Sequence, residues 1–201
     1  MPIAERREQL LDSALEVLDR QGYAALTVEA ISRQAGVTRP VFYAAYDDLD
    51  TLLHTLLDRT RDRALAQVLQ LLSTTGDPSS VDDWMVKAAA GLIDLVHEHP
   101  STWKPILGLT RGAPALVEDR IHATRELICT YLAAGIEAGL DLRGGPFLDA
   151  ELLAHAALAT AEELGRLALT DPERFTKERM VGAFALMLSS VPPTRARRQD
   201  G

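Results

Sequence analysis

The 201-residue sequence has almost no cysteine, few aromatics and no long apolar run. Cys129 is the lone cysteine, which excludes an internal disulfide and fits a reducing cytoplasm. Aromatics make up only 5% of the chain, while Leu and Ala dominate, a balance that favours helix over sheet. No apolar stretch approaches the roughly 18 residues that a membrane span needs. The N-terminal MPIAERREQLL is charged and lacks the apolar core of a signal peptide, so a soluble, cytoplasmic protein is expected. Positive charge is scarce too: 21 Lys and Arg against 29 Asp and Glu leave −8, which argues against wholesale electrostatic capture of nucleic acid. HExxH, GxSxG, P-loop and GxGxxG patterns are missing, and nothing alternates with strand period. With 47% hydrophobic residues, the chain still has the material for a sizeable core.

What is there centres on TVEAISRQAGVTRPVFYAAYDDLDTLL, from Thr27 to Leu53. Thr27 is a helix N-cap candidate, and Ala30, Ile31 and Ala35 carry the inward spacing of a short helix. Gly36 can take the positive φ that lets the chain reverse at once. Thr38 is again a cap residue, and Pro40 falls in the first turn, where its missing N–H costs nothing. The helix from Pro40 to about Ala45 is too short to stand alone. Val41 and Phe42 must anchor it, leaving Thr38, Arg39 and Tyr43 outward. Two short helices joined by a glycine turn form the arrangement that places a second helix in a DNA major groove.

Gly22, Thr27, Ile31, Ala35-Gly36-Val37, Phe42-Tyr43, Tyr46 and Leu52-Leu53 resemble, in order and spacing, the N-terminal domain of the TetR family of bacterial transcriptional regulators. The resemblance covers roughly the first quarter of the chain. It implies DNA contacts at Thr27, Thr38, Arg39, Pro40 and Tyr43, with Tyr43 on a phosphate. The chemistry agrees: hydroxyls and helix-start amides suit phosphates, and Arg39 can fork onto a guanine edge. The chain also departs from the family, which often carries a basic residue or His where Ala44 and Ala45 stand, and a Lys in place of Leu49. Up to Asp47, five arginines oppose seven acids, so backbone anchoring is expected to be weak.

Helical periodicity continues along the rest of the chain, giving an all-α protein of about nine helices. Ala4 to Gln21 carries Leu10, Leu11, Ala14, Leu15 and Leu18 on one side, and Gly22 ends it. Asp48 caps a long helix to about Ser73. Ser80 caps the next, Val81 to Glu98, with Trp84, Ala88, Leu92 and Leu95 or Val96 inward and Pro100 closing it. A short helix is expected between Ser101 and Pro114, then a long one from Ala115 to Leu140. Gly144-Gly145-Pro146 stops the connection, a helix follows from about Phe147 to Leu169, and Asp171-Pro172 opens the last, through Val191. This divides the chain into a helix-turn-helix domain (1–47), an effector-binding and dimerisation domain (48–191) and a disordered tail (192–201).

Other chemistry is thinly represented. His97-x-His99 offers two metal ligands with no third nearby. Glu118/His122 and Glu151/His155 invite a carboxylate di-iron reading, but that chemistry uses Glu-x-x-His, and exposed polar pairs account for them. Cys129 reads as a packed small residue. No cofactor or metal is expected, and no enzyme.

Trp84, Trp103 and the breaks at Pro105, Gly108 and Gly112 bring indoles and irregular backbone into a helical domain. The resemblance implies a small-molecule effector there, for which Trp84, Trp103, Thr124 and Tyr131 are the lining candidates. Its composition favours a largely apolar ligand. Glu163 is either a buried carboxylate or a dimer contact. Leu152, Leu153, Leu164, Met180, Phe184, Met187 and Leu188 give the last two helices more apolar surface than a monomer needs, the mark of a two-fold four-helix seam. Together these features point to a homodimeric repressor, released from a near-palindromic operator by an apolar effector. The rivals are a helical metal-carboxylate enzyme and an interaction protein without operator binding.

Overall fold

Helical spacing in the sequence becomes helix wherever the chain is defined. The computed structural model describes residues 1–76, 81–110, 112, 115–143 and 148–190. Among these the elements are α1 (Ile3–Gln21), α2 (Val28–Gln34), α3 (Arg39–Tyr43), α4 (Leu49–Thr74), α5 (Val81–Glu98), α6 (Pro100–Ile106), α7 (Ala115–Arg143), α8 (Ala150–Thr170) and α9 (Lys177–Ser189), with a 3-10 turn at Tyr23–Ala25. The expected all-α class holds. The Ser80 cap, the Gly144-Gly145-Pro146 stop, the start at Phe147, the end at Val191 and the tail 192–201 lie outside the described residues.

The helix ends differ where a local bond overrides the sequence cue. The last helix does not open at Asp171-Pro172. Asp171 instead closes α8 and accepts from the Arg174 amide at 3.3 Å, holding a turn, and Thr176 caps α9 through the Arg179 amide. At α8 the cap is Asp149, whose side chain accepts from the Leu152 amide at 3.1 Å. Pro100 does not merely close α5; it sits in the first turn of α6, where it needs no donor.

The chain packs as two compact units, one of residues 1–64 with 99–123, the other of 65–98 with those from 124 on. In the first, Leu10, Leu11, Ala14, Leu15 and Leu18 of α1 are all buried against Ile31, Phe42, Leu52, Leu56 and Val117. Polar ties surround this core. Lys104 of α6 pairs with Asp19 of α1 at 2.7 Å, and Arg120 of α7 pairs with Asp58 of α4. Arg59 of α4, only 12% exposed, bonds Glu8 at 2.9 Å and Asp12 at 2.8 Å on α1.

In the second unit α5 packs against both α8 and α9. Its most deeply buried side chains are Ile93 and Val96, with Ala89 and Trp84 beside them. Ala88 and Leu92, expected inward, are half-buried, because two partners widen the buried stripe beyond a single helical line. His97 meets the Ala168 carbonyl at 3.0 Å, and Arg125 of α7 pairs with Glu162 of α8. Glu162 rather than Glu163 is therefore the inward carboxylate. Glu163 is exposed and pairs with Arg166 at 2.9 Å on its own helix. None of the described helices is long and apolar enough to cross a membrane.

Candidate nucleic-acid interface

The turn between α2 and α3 is built by backbone alone. Gly36 has φ of 66°, its amide donates to Arg33 O at 3.2 Å, and the Val37 amide donates to Ser32 O at 2.9 Å. This pair of bonds is a Schellman closure, which satisfies two of the carbonyls that a helix end leaves open. The Thr27 side chain begins α2 by accepting from the Ala30 amide at 3.1 Å. An accepting hydroxyl still has its O–H to donate outward.

Five residues cannot hold a helix by propensity, so α3 depends on anchoring. Phe42 is fully buried, and its ring meets Tyr43 edge-on at 5.5 Å and Tyr46 at 6.2 Å. Helix α1 fastens a carbonyl just past the C-terminal end of each of α2 and α3. Arg7 Nε donates to Ala45 O at 2.9 Å, and Gln9 Nε2 donates to Ala35 O at 3.0 Å. Arg7 also lies over the Tyr46 ring at 5.6 Å, which partly offsets the rise that burial gives the Tyr46 phenol. Burial alone pushes the Tyr23 phenol up to about 12, so both tyrosines stay neutral in the core.

Held this way, α3 turns Thr38, Arg39, Pro40 and Tyr43 to solvent, with Thr27 exposed at the start of α2. Tyr43 keeps 53% of its surface open beside a core neighbour that keeps none. The Thr38 hydroxyl makes no cap bond within α3. The structure adds one group absent from the sequence reading: Glu29 of α2, whose carboxylate receives Arg39 Nη2 at 3.3 Å. Ten residues separate the two on different helices, so no local spacing announces the pair. At the motif's far side Asp48 accepts from the Thr51 amide at 2.7 Å to cap α4, and that bond holds its carboxyl below the usual range.

The candidate effector residues divide between the units. Trp103, 5% exposed, belongs to the first. Trp84 and Thr124 are buried in the second, and Tyr131 is half exposed there. The Trp84 ring lies against Gly135 of α7, 3.4 Å from where a Cβ would stand. Among the candidate dimer residues, Met180 and Phe184 are buried within the chain, and Leu153, Leu164 and Leu188 are half-buried. Leu152 and Met187 are exposed, as is Leu186. Cys129 is buried against His155 Nδ1 at 3.5 Å, and burial pushes its thiol up, away from the reactive thiolate.

Comparison with known proteins bears on this geometry directly. The family model described as bacterial regulatory proteins, tetR family, matches residues 10–56, the segment from α1 into α4. An HTH-type transcriptional regulator of Mycobacterium tuberculosis is 26% identical over 140 residues, covering 70% of this chain and 62% of that protein. The transcriptional activator FasR of Mycolicibacterium smegmatis is 39% identical over 77 residues, covering 38% of this chain and 35% of its own length. The chain thus spans less than two thirds of these curated relatives. The fold is shared with a transcriptional regulator from Pseudomonas aeruginosa at a TM-score of 0.77, 18% identity, and coverage of 94% and 91%. It is also shared with FadR of Bacillus subtilis, solved in complex with stearoyl-CoA, at 0.70, 15% identity, and coverage of 92% and 98%.

Proposed function

Because the chain belongs to the TetR family of bacterial regulatory proteins, we propose that it is a cytoplasmic, homodimeric repressor released from a near-palindromic operator by an apolar effector. Residues 1–47 are its reading domain and residues 48–191 its effector and dimerisation domain. The observation that carries the proposal is α3 itself, where a fully buried Phe42 presents Thr38, Arg39, Pro40 and Tyr43 together to solvent. Thr27 and Tyr43 hydroxyls serve phosphates, and Arg39 serves a base edge. Exposed Leu152 on α8 with Leu186 and Met187 on α9 support pairing of two copies. Among the relatives, FasR is an activator by name. Sequencing the genomic fragments that the purified protein retains tests the proposal. Fragments should share a two-fold motif with half-sites about one helical turn apart, and scattered enrichment without a motif overturns the reading.

The effector site is proposed in the second unit, between α5 and α7, where Trp84 lies against Gly135 and Thr124 is buried. Tyr131 stands at its exposed side. Its apolar walls fit a long hydrocarbon better than a multiply charged metabolite, whose burial would need several paired cations. FadR was solved with stearoyl-CoA, which joins such a hydrocarbon to a multiply charged CoA group, so only its acyl half is of that kind. The ligand acts by preferring a geometry in which the two reading heads no longer match their half-sites. Helix α4, which supplies residues to both units, is the proposed transmitter.

A further inference from the structure

We propose that Glu29 is a positioning and specificity-determining residue: its carboxylate buttresses Arg39 so that the guanidinium meets one guanine in a fixed direction. The inference rests on the operator-binding reading above. Arg39 opens α3 and Glu29 lies in the first turn of α2, and the Schellman closure at Gly36 brings these two helix starts together. Their side chains meet through Nη2 and Oε2 at 3.3 Å, with 63% and 70% of each still exposed. Thr27, Thr38 and Tyr43 are exposed as well.

Two physical arguments give the pair a purpose. A guanidinium carries five N–H donors, and a guanine edge takes only two of them, at O6 and N7. One donor held by Glu29 leaves enough for a forked contact, with the rotor already ordered. Affinity gives no reason to place a carboxylate there. Phosphates repel it, and the reading domain is already acidic, with five arginines against seven acids up to Asp47. What Glu29 adds is direction and a penalty on binding to arbitrary sequence. A first-turn acid also favours the α2 dipole, but that role would register in stability and not in base preference.

The test compares the full-length wild type with Glu29→Gln, Arg39→Ala and the double variant, by competition among operator duplexes substituted at every base pair. Glu29→Gln should bind the parent operator as well as wild type or better, because one negative charge per protomer is gone. Its discrimination at the guanine pair read by Arg39 should fall by about fivefold or more, the lower range of what a forked arginine–guanine contact supplies. The double variant should then show the base preference of Arg39→Ala alone, and thermal melting should fall by no more than the small loss expected from a first-turn acid. Unaltered discrimination in Glu29→Gln overturns the inference. So does an additive loss at a different base pair, which would make Glu29 a reader of cytosine in its own right. A Glu29→Gln protein that unfolds would make the residue structural, with the same consequence. A wild type that enriches no motif takes down the operator reading and this inference together, whereas a wild-type motif indifferent to Glu29 takes down only the inference.

Discussion

Gly36 shows at the residue scale how narrowly the reading head is built. With φ of 66° and nothing within 4 Å of a Cβ placed there, the cost of a side chain is wholly in the backbone. Gly36→Ala should destabilise the protein by about 1–2 kcal/mol, read as a lower urea midpoint, and Gly36→Asn by less. Asp48 adds a pH signature. Its folded carboxyl is held low by the Thr51 amide, so its cap stabilises above the usual carboxylate range and is lost as pH falls through the folded value. The melting temperature of Asp48→Ala should therefore lie below wild type at neutral pH, and the gap should close as pH falls below the usual carboxylate range. Thr27, Gly36 and the inward Phe42 were legible in the sequence because each acts through its own few neighbours. Glu29 on Arg39 and Arg7 on Ala45 O were not, because both ties join residues of different elements, well separated in the chain.

Helix faces could be read closely where one partner decides them and less well where two do. The buried stripe of α1 follows its leucines, whereas on α5 the deepest residues are Ile93 and Val96, set by α8 and α9 together. A single position, about 100° of helix, separates Glu163 as read from Glu162 as found, and the arginine across α7 makes the difference. The tie between α4 and α1 should respond asymmetrically. Arg59 is 12% exposed, whereas Glu8 and Asp12 are about three-fifths open to water. Arg59→Met leaves two solvated acids and should change stability by less than about 1 kcal/mol. Removing Glu8 and Asp12 together strands a buried cation, for a loss on the order of 3 kcal/mol, both read by chemical unfolding. In the proposed dimer, Phe184 is a poor probe because it is buried within each copy. Leu186→Asp and Met187→Asp place charge on an exposed face instead, and should convert dimer to folded monomer in sedimentation at micromolar concentration.

For the whole molecule the acid excess sets the terms of DNA binding. Roughly four to six neutralised phosphates per dimer give a log–log salt slope of about −4 to −5, and a slope near −10 would contradict weak backbone anchoring. Tyr43→Phe should weaken all sequences alike, whereas Arg39→Ala should cost ~1–3 kcal/mol and blur one base position per half-site. The architecture was legible from periodicity because nearly every helix has an apolar side. The effector site was less so, since indoles and small residues serve a filled core as readily as a pocket. The measurement that tests the central claim most directly is an operator titration by fluorescence anisotropy, run with and without a panel of long-chain apolar compounds and phosphorylated metabolites. An apolar compound should lower operator affinity at least about tenfold, a coupling of about 1.4 kcal/mol, and quench tryptophan fluorescence over the same range. If phosphorylated metabolites release the operator at micromolar concentration while every apolar compound leaves it bound, the account of how this protein is regulated is wrong.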